Sequence, residues 1–114
     1  MKNKLIEKPW GHEELIELND KYCLKKLLMK AGKRCSLQYH EKKIETIYVL
    51  EGNLFIETDK NTIILKPGET ITLKPGDIHR MSARDNDALY LESSTPELED
   101  VVRIEDDYNR AEKK

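Results

Sequence analysis

From Glu13 to Ser94 the chain runs in short stretches of β-branched, aromatic and aliphatic residues, each broken after a few positions by Gly, Pro, Asn or Asp. Such stretches predict strands, and such breaks predict turns. Strands are predicted at Glu13–Leu18, Tyr22–Lys30, Ser36–His40, Thr46–Leu50, Leu54–Thr58, Thr62–Leu65, Thr70–Leu73 and Ala88–Glu92. Leu54–Thr58 and Thr62–Leu65, joined by Asp59-Lys60-Asn61, read as one hairpin. Lys-Pro-Gly occurs at Lys66–Gly68 and again at Lys74–Gly76, bracketing a single strand; the two are paired turns rather than a repeat with its own function. Helix signals are scarce. Many short strands at this spacing predict an all-β sandwich or barrel. The strand pattern predicts a core over about residues 8–95. After Pro96 the composition changes, with acidic groups at Glu97–Asp100 and Glu105–Asp107 and a final Arg110–Lys114. This tail, residues 96–114, is expected to add an edge strand at Asp100–Glu105 and then fray.

The 114 residues suit one domain with no linker, long enough to bury a core without staples. Charged residues make up 37%, but the signs nearly cancel to a net of −2, which argues against a nucleic-acid binder that relies on a basic face. Apolar runs of a few residues fall far short of the ~20 that span a bilayer, so no membrane partner is expected. Met1–Trp10 has Lys residues but no apolar stretch and no small-residue cleavage site, so the expected compartment is the cytoplasm. Cys23 and Cys35 lie in strand-like runs and are expected to be buried thiols rather than a disulfide.

Three histidines occur: His12, His40 and His79. Residues two apart on a strand share a face, so Gln38 and His40 point the same way. Glu45 begins the next strand after the tight connection Glu41–Ile44, on a face that continues through Ile47 and Val49 toward an interior. His79 follows the second Pro-Gly turn. Imidazole nitrogen with carboxylate and amide oxygen suits zinc, manganese, iron, cobalt or nickel without choosing among them. The plain alternative is four ordinary polar residues, Gln38 bridging backbone groups. His12 reads as exposed, and Trp10 as a plug at a barrel end or an oligomer contact.

This pattern resembles the cupin superfamily, and within it the mannose-6-phosphate isomerase domain of type II bifunctional enzymes, which follows a mannose-1-phosphate guanylyltransferase. The resemblance spans about Lys8 to Arg110. Lys8-Pro9-Trp10-Gly11 is similar to that family's Arg-Pro-Trp-Gly opening, and Gly32-Lys33-Arg34-Cys35-Ser36-Leu37-Gln38-Tyr39-His40 to its run of Pro-Gly, Arg, Ser-Leu-Gln and His. Gly32, Gln38, His40, Glu45 and Gly52 match the spacing of the first cupin motif; Gly68, Gly76 and His79 match the second. Val102–Tyr108 resembles the closing segment. Departures are Gln38 for the first motif histidine, Glu41 and Lys42 where relatives carry further histidines, Lys74 for a proline and Ala83 for an asparagine. No Gly-rich nucleotide loop is present, so the reading is a lone domain, residues 1–114.

The resemblance implies a single-domain cupin double-stranded β-helix, a jelly-roll barrel. It implies one divalent metal held by Gln38, His40, Glu45 and His79, with zinc favoured for an isomerase. The implied activity is a metal-dependent sugar-phosphate isomerase of the mannose-6-phosphate isomerase type, in nucleotide-sugar or surface-polysaccharide precursor metabolism. The alternative is a non-catalytic, metal-bound cupin that binds a sugar or small acid. Such an isomerase needs a base, for which Glu92 is the candidate; alternation leaves open whether Tyr90 and Glu92 or Leu89 and Leu91 face inward. It also needs a cation for the phosphate: Arg34, which shares a face with Gln38 by alternation, Lys25, or Arg80 if its strand bends. The plain reading of each is a solvated surface charge. A homodimer is expected, with Leu5–Leu18 as the contact segment.

Overall fold

The computed structural model describes residues 3–108; Arg110–Lys114, where fraying is expected, lies outside the described residues. Eleven strands occur among the described residues: β1 (Lys4–Lys8), β2 (Gly11–Leu18), β3 (Cys23–Met29), β4 (Leu37–Tyr39), β5 (Glu45–Glu51), β6 (Leu54–Thr58), β7 (Thr62–Leu65), β8 (Thr70–Leu73), β9 (His79–Ser82), β10 (Ala88–Ser94) and β11 (Val102–Glu105). They form a six-stranded sheet in the order β1-β2-β3-β10-β5-β8 and a five-stranded sheet in the order β11-β4-β9-β6-β7. Every recorded strand pair is antiparallel. No helix long and apolar enough to cross a membrane occurs among the described residues.

The β6–β7 hairpin has the expected limits, pairing Leu54 with Leu65 and Ile56 with Ile63. Thr58 closes its turn: the Asn61 amide donates to the Thr58 hydroxyl, and the Thr58 amide to the Asn61 carbonyl. β8 lies between the two Lys-Pro-Gly turns, whose glycines have φ of 88° at Gly68 and 87° at Gly76. Gly52, the last glycine of the first motif, turns β5 into β6 at φ 73°, and a Cβ there would run into the Asp87 carbonyl. Both reasons require glycine.

Alternation places Ile47 and Val49 of β5, Leu54 and Ile56 of β6, and Ala88 and Tyr90 of β10 in one buried core with Leu27, Met29 and Met81. Each fully buried aliphatic side chain contributes about 1.5–3 kcal/mol. Trp10 is buried in the same core rather than left at a contact surface. Cys23 and Cys35 are buried and free, as expected.

Most other strand limits differ from expectation by one or two residues, and three strands differ in more telling ways. β1 was not foreseen because Lys4-Leu5-Ile6-Glu7-Lys8 is charge-rich, a composition suited to the sheet edge it occupies. β4 is shorter than Ser36–His40, since it meets β9 at the single Gln38–His79 pair. β9 carries His79 as anticipated, but two of its four residues are polar in an unexpectedly buried setting.

Candidate metal centre

The centre forms where β4, β5 and β9 meet. Gln38 lies opposite His79 in register, His40 follows β4, and Glu45 opens β5. His40, Glu45 and His79 are all buried, at 2%, 1% and 0% exposure. His40 Nε2 and His79 Nε2 each lie 3.2 Å from the same oxygen, Glu45 Oε1. The three residues offer ligand atoms that lie within 4.8 Å of one another.

The far sides of both rings are committed. His40 Nδ1 lies 2.5 Å from the Asp100 carbonyl oxygen and His79 Nδ1 lies 2.8 Å from that of Asp77. A carbonyl only accepts, so each Nδ1 carries a proton and each ring turns its Nε2, the nitrogen left for a metal, toward Glu45. Two ring nitrogens and a carboxylate oxygen thus converge on one point. His79 Nε2 is buried without a hydrogen-bond partner, as a ring nitrogen able to ligate a cation would be. Metal–ligand bonds of about 2.1 Å at right angles would place donors about 3 Å apart, so the donor set fits a divalent ion. Gln38 adds an amide at the cavity wall, its Oε1 accepting the Ser36 hydroxyl at 2.5 Å.

His40 and Glu45 line a cavity of about 100 Å³, with His79 set behind Glu45. Along its wall, β10 brings Glu92 inward between Lys25 of β3 and Ile47 of β5. This resolves the alternation left open above: Tyr90 and Glu92 are buried, Leu89 and Leu91 are not. Burial, reinforced by the neighbouring Glu45 carboxylate and resisted by Lys43 and Lys25, pushes the Glu92 carboxyl up to about 8. Burial acts the same way on Glu45, but the two imidazoles and the Lys43 ammonium outweigh it and hold Glu45 well below the usual carboxylate range. The two carboxyls are thereby shifted in opposite directions. Lys25 is 3.2 Å from Glu13; burial disfavours its charge, but Glu13 and Glu92 prevail and raise it.

The three cations proposed for phosphate fare differently. Lys25 lines the cavity. Arg34 does not: it is solvent-exposed and forms a two-point ion pair with Asp107, at 2.7 and 2.9 Å. Alternation from Gln38 fails there because β4 begins only at Leu37, and Cys35 and Ser36 are buried in succession. Arg80 is buried on the side of β9 away from His79, donating to the carbonyls of Cys35 and Glu105 at 3.0 and 3.3 Å. The strand does not bend to bring it inward. Two further cations, absent from the expectation, line the cavity. Lys43 is buried with Nζ 3.7 Å from Glu45 Oε2. Arg103 of β11, opposite Gln38, lines the cavity with a buried Nε that has no hydrogen-bond partner. His12 lies on the opposite face of β2 from cavity-lining Glu13.

A profile of the family described as "Mannose-6-phosphate isomerase C-terminal" matches residues 1–106. The chain is 25% identical over 109 residues to the alginate biosynthesis protein AlgA of Pseudomonas aeruginosa, covering 92% of this chain and 23% of that protein. It is 29% identical over 109 residues to a mannose-1-phosphate guanylyltransferase of Escherichia coli, covering 92% and 23%. The chain thus spans about a quarter of the length of these curated relatives. An RmlC-like cupin from Shewanella frigidimarina superposes with a TM-score of 0.75 at 16% identity, over 86% of this chain and 87% of that one. The all-β fold is that of a cupin.

Proposed function

The chain belongs to the mannose-6-phosphate isomerase C-terminal family of cupins, and on that footing we propose that it holds one divalent metal through His40, Glu45, His79 and Gln38 and interconverts a sugar-phosphate aldose and its ketose. The observation that carries the reading is the convergence of His40 Nε2 and His79 Nε2 on Glu45 Oε1 at 3.2 Å each, beside a buried carboxyl and buried cations. A bound divalent ion would polarise the substrate carbonyl and acidify the neighbouring C–H.

The chain's own residues supply the rest. Glu92, in its carboxylate form, takes the proton from the carbon beside the carbonyl and returns it to the former carbonyl carbon, while the hydroxyl proton passes from one enediol oxygen to the other, so that no proton is gained or lost overall. A carboxyl lifted toward neutral pH is suited to both halves of that shuttle. Arg103, with its unpaired buried Nε, anchors the phosphate, and Lys25 balances the charge at the Glu13 side of the cavity. Leu27, Met81 and Tyr90 keep bulk water from the enediol.

The substrate class is a small sugar phosphate, with mannose 6-phosphate the first candidate from the family's description; the chain works in the cytoplasm as a homodimer. Metal-dependent conversion of mannose 6-phosphate to fructose 6-phosphate, absent from His40→Ala, tests the proposal. Binding without turnover would instead support a metal-loaded sugar-binding cupin.

A further inference from the structure

The connection from β4 to β5, residues 41–44, carries one proposed ligand at each end. The amides of this loop take their acceptors from a distant segment. Glu41 and Lys42 donate to the two carboxylate oxygens of Asp100 at 3.0 and 2.7 Å, and Lys43 donates to the second of them at 2.8 Å. Ile44 donates to the Thr95 hydroxyl at 3.1 Å, and the Thr95 amide donates back to the Ile44 carbonyl at 3.0 Å. Four successive amides are thus held by residues 95–100. The backbone carbonyl of Asp100 also accepts the His40 Nδ1 proton.

We infer that Asp100 is a positioning residue for the centre: its carboxylate sets the path of the His40–Glu45 loop and its carbonyl fixes the His40 tautomer. Three consecutive N–H groups around one carboxylate form an anion-binding nest, rigid because each donor points at a fixed charge. The carbonyl stays in place because the carboxylate of the same residue is held. Segment 95–100 also joins β10, which carries Glu92, to β11, which carries Arg103. One docked segment therefore sets the ligands, the base and the phosphate cation relative to one another. The inference rests on the reading of His40 and Glu45 as ligands.

The test compares Asp100→Ala and Asp100→Asn with the wild-type chain. Cobalt titration followed by visible absorption reads affinity and ligand geometry. In metal-free protein, hydrogen exchange of the Glu41, Lys42 and Lys43 amides reads the loop, and the ring-nitrogen shifts of His40 read its tautomer. Asp100→Ala is expected to weaken cobalt binding about 10- to 100-fold, alter the cobalt spectrum, expose the three amides to exchange and mix the His40 tautomers. Asp100→Asn keeps one acceptor oxygen and falls between the two. A wild-type chain that takes up no cobalt would remove the metal reading, while the exchange and tautomer measurements would still decide the role of Asp100. Unchanged affinity, spectrum, exchange and tautomer in whichever variant folds would overturn it.

Discussion

The rings of His40 and His79 stand 5.2 Å apart, tilted by 48°, and both turn Nε2 toward one oxygen of Glu45. The relationship is costly without a cation between the donors, because each Nδ1 proton is already committed to a carbonyl.

Removing either imidazole should therefore cost metal rather than the fold. His40→Ala and His79→Ala are expected to lose most bound metal after dialysis, measured by elemental analysis, while retaining a cooperative unfolding transition. His12→Ala should match the wild type, since His12 faces away from the cavity. Full occupancy in both ligand variants would refute the assignment.

The metal-free protein should carry an unusual pH signature. Glu92 has a folded-state pKa raised from 4.5 to about 8, so the folded state binds more protons than the unfolded one across that window. Its contribution to stability is largest below the lower value and is lost as pH rises toward the upper one. Glu45, held low, acts with the opposite sign: its contribution is present above 4.5 and lost as pH falls below. With chelator present, the melting temperature should fall between about pH 5 and pH 8, and Glu92→Gln should flatten that fall. A melting temperature that rises through the window, unchanged by Glu92→Gln, would contradict the account.

Phosphate recognition should follow Arg103 rather than Arg34. Loss of a charge-assisted bond from a half-buried guanidinium is expected to raise KM about 10- to 100-fold in Arg103→Gln, with metal content unchanged. Arg34→Gln removes an exposed pair with Asp107 and should leave KM alone. Equal effects from both variants would count against an anchoring role.

The expected dimer has a place to form. β1 ends the six-stranded sheet, and Leu5 on it is 57% exposed. Light scattering should give the mass of two chains, and Leu5→Asp should lower it; a wild-type mass of one chain would exclude the dimer.

Much of the barrel was legible because alternation and turn chemistry agree along most of the chain. Leu54–Thr58, Thr62–Leu65 and Thr70–Leu73 match expectation at both ends, each flanked by Gly, Pro or Asn. Three of the four candidate ligands, His40, Glu45 and His79, come together, His40 and Glu45 across a short loop, while Gln38 lies opposite His79 in strand register. Side-chain direction was lost wherever the strand stopped. Arg34 lies before β4, where period-two reasoning does not apply. Lys43 lies in a loop whose path is set by Asp100, more than fifty positions away in sequence, a relationship no local pattern carries. Arg103 was visible only as part of the closing segment, and its inward direction depends on β11 pairing with β4.

The most direct measurement is a coupled assay for conversion of mannose 6-phosphate to fructose 6-phosphate. It would use protein stripped of metal and reloaded with zinc, manganese, cobalt, nickel or iron, with His40→Ala and Glu92→Gln alongside. The account predicts turnover that returns with metal, is absent from His40→Ala, and is reduced about 10²- to 10⁴-fold in metal-loaded Glu92→Gln. No turnover with any ion, in protein shown to be loaded, would contradict the isomerase and leave a cupin that binds its sugar phosphate without converting it.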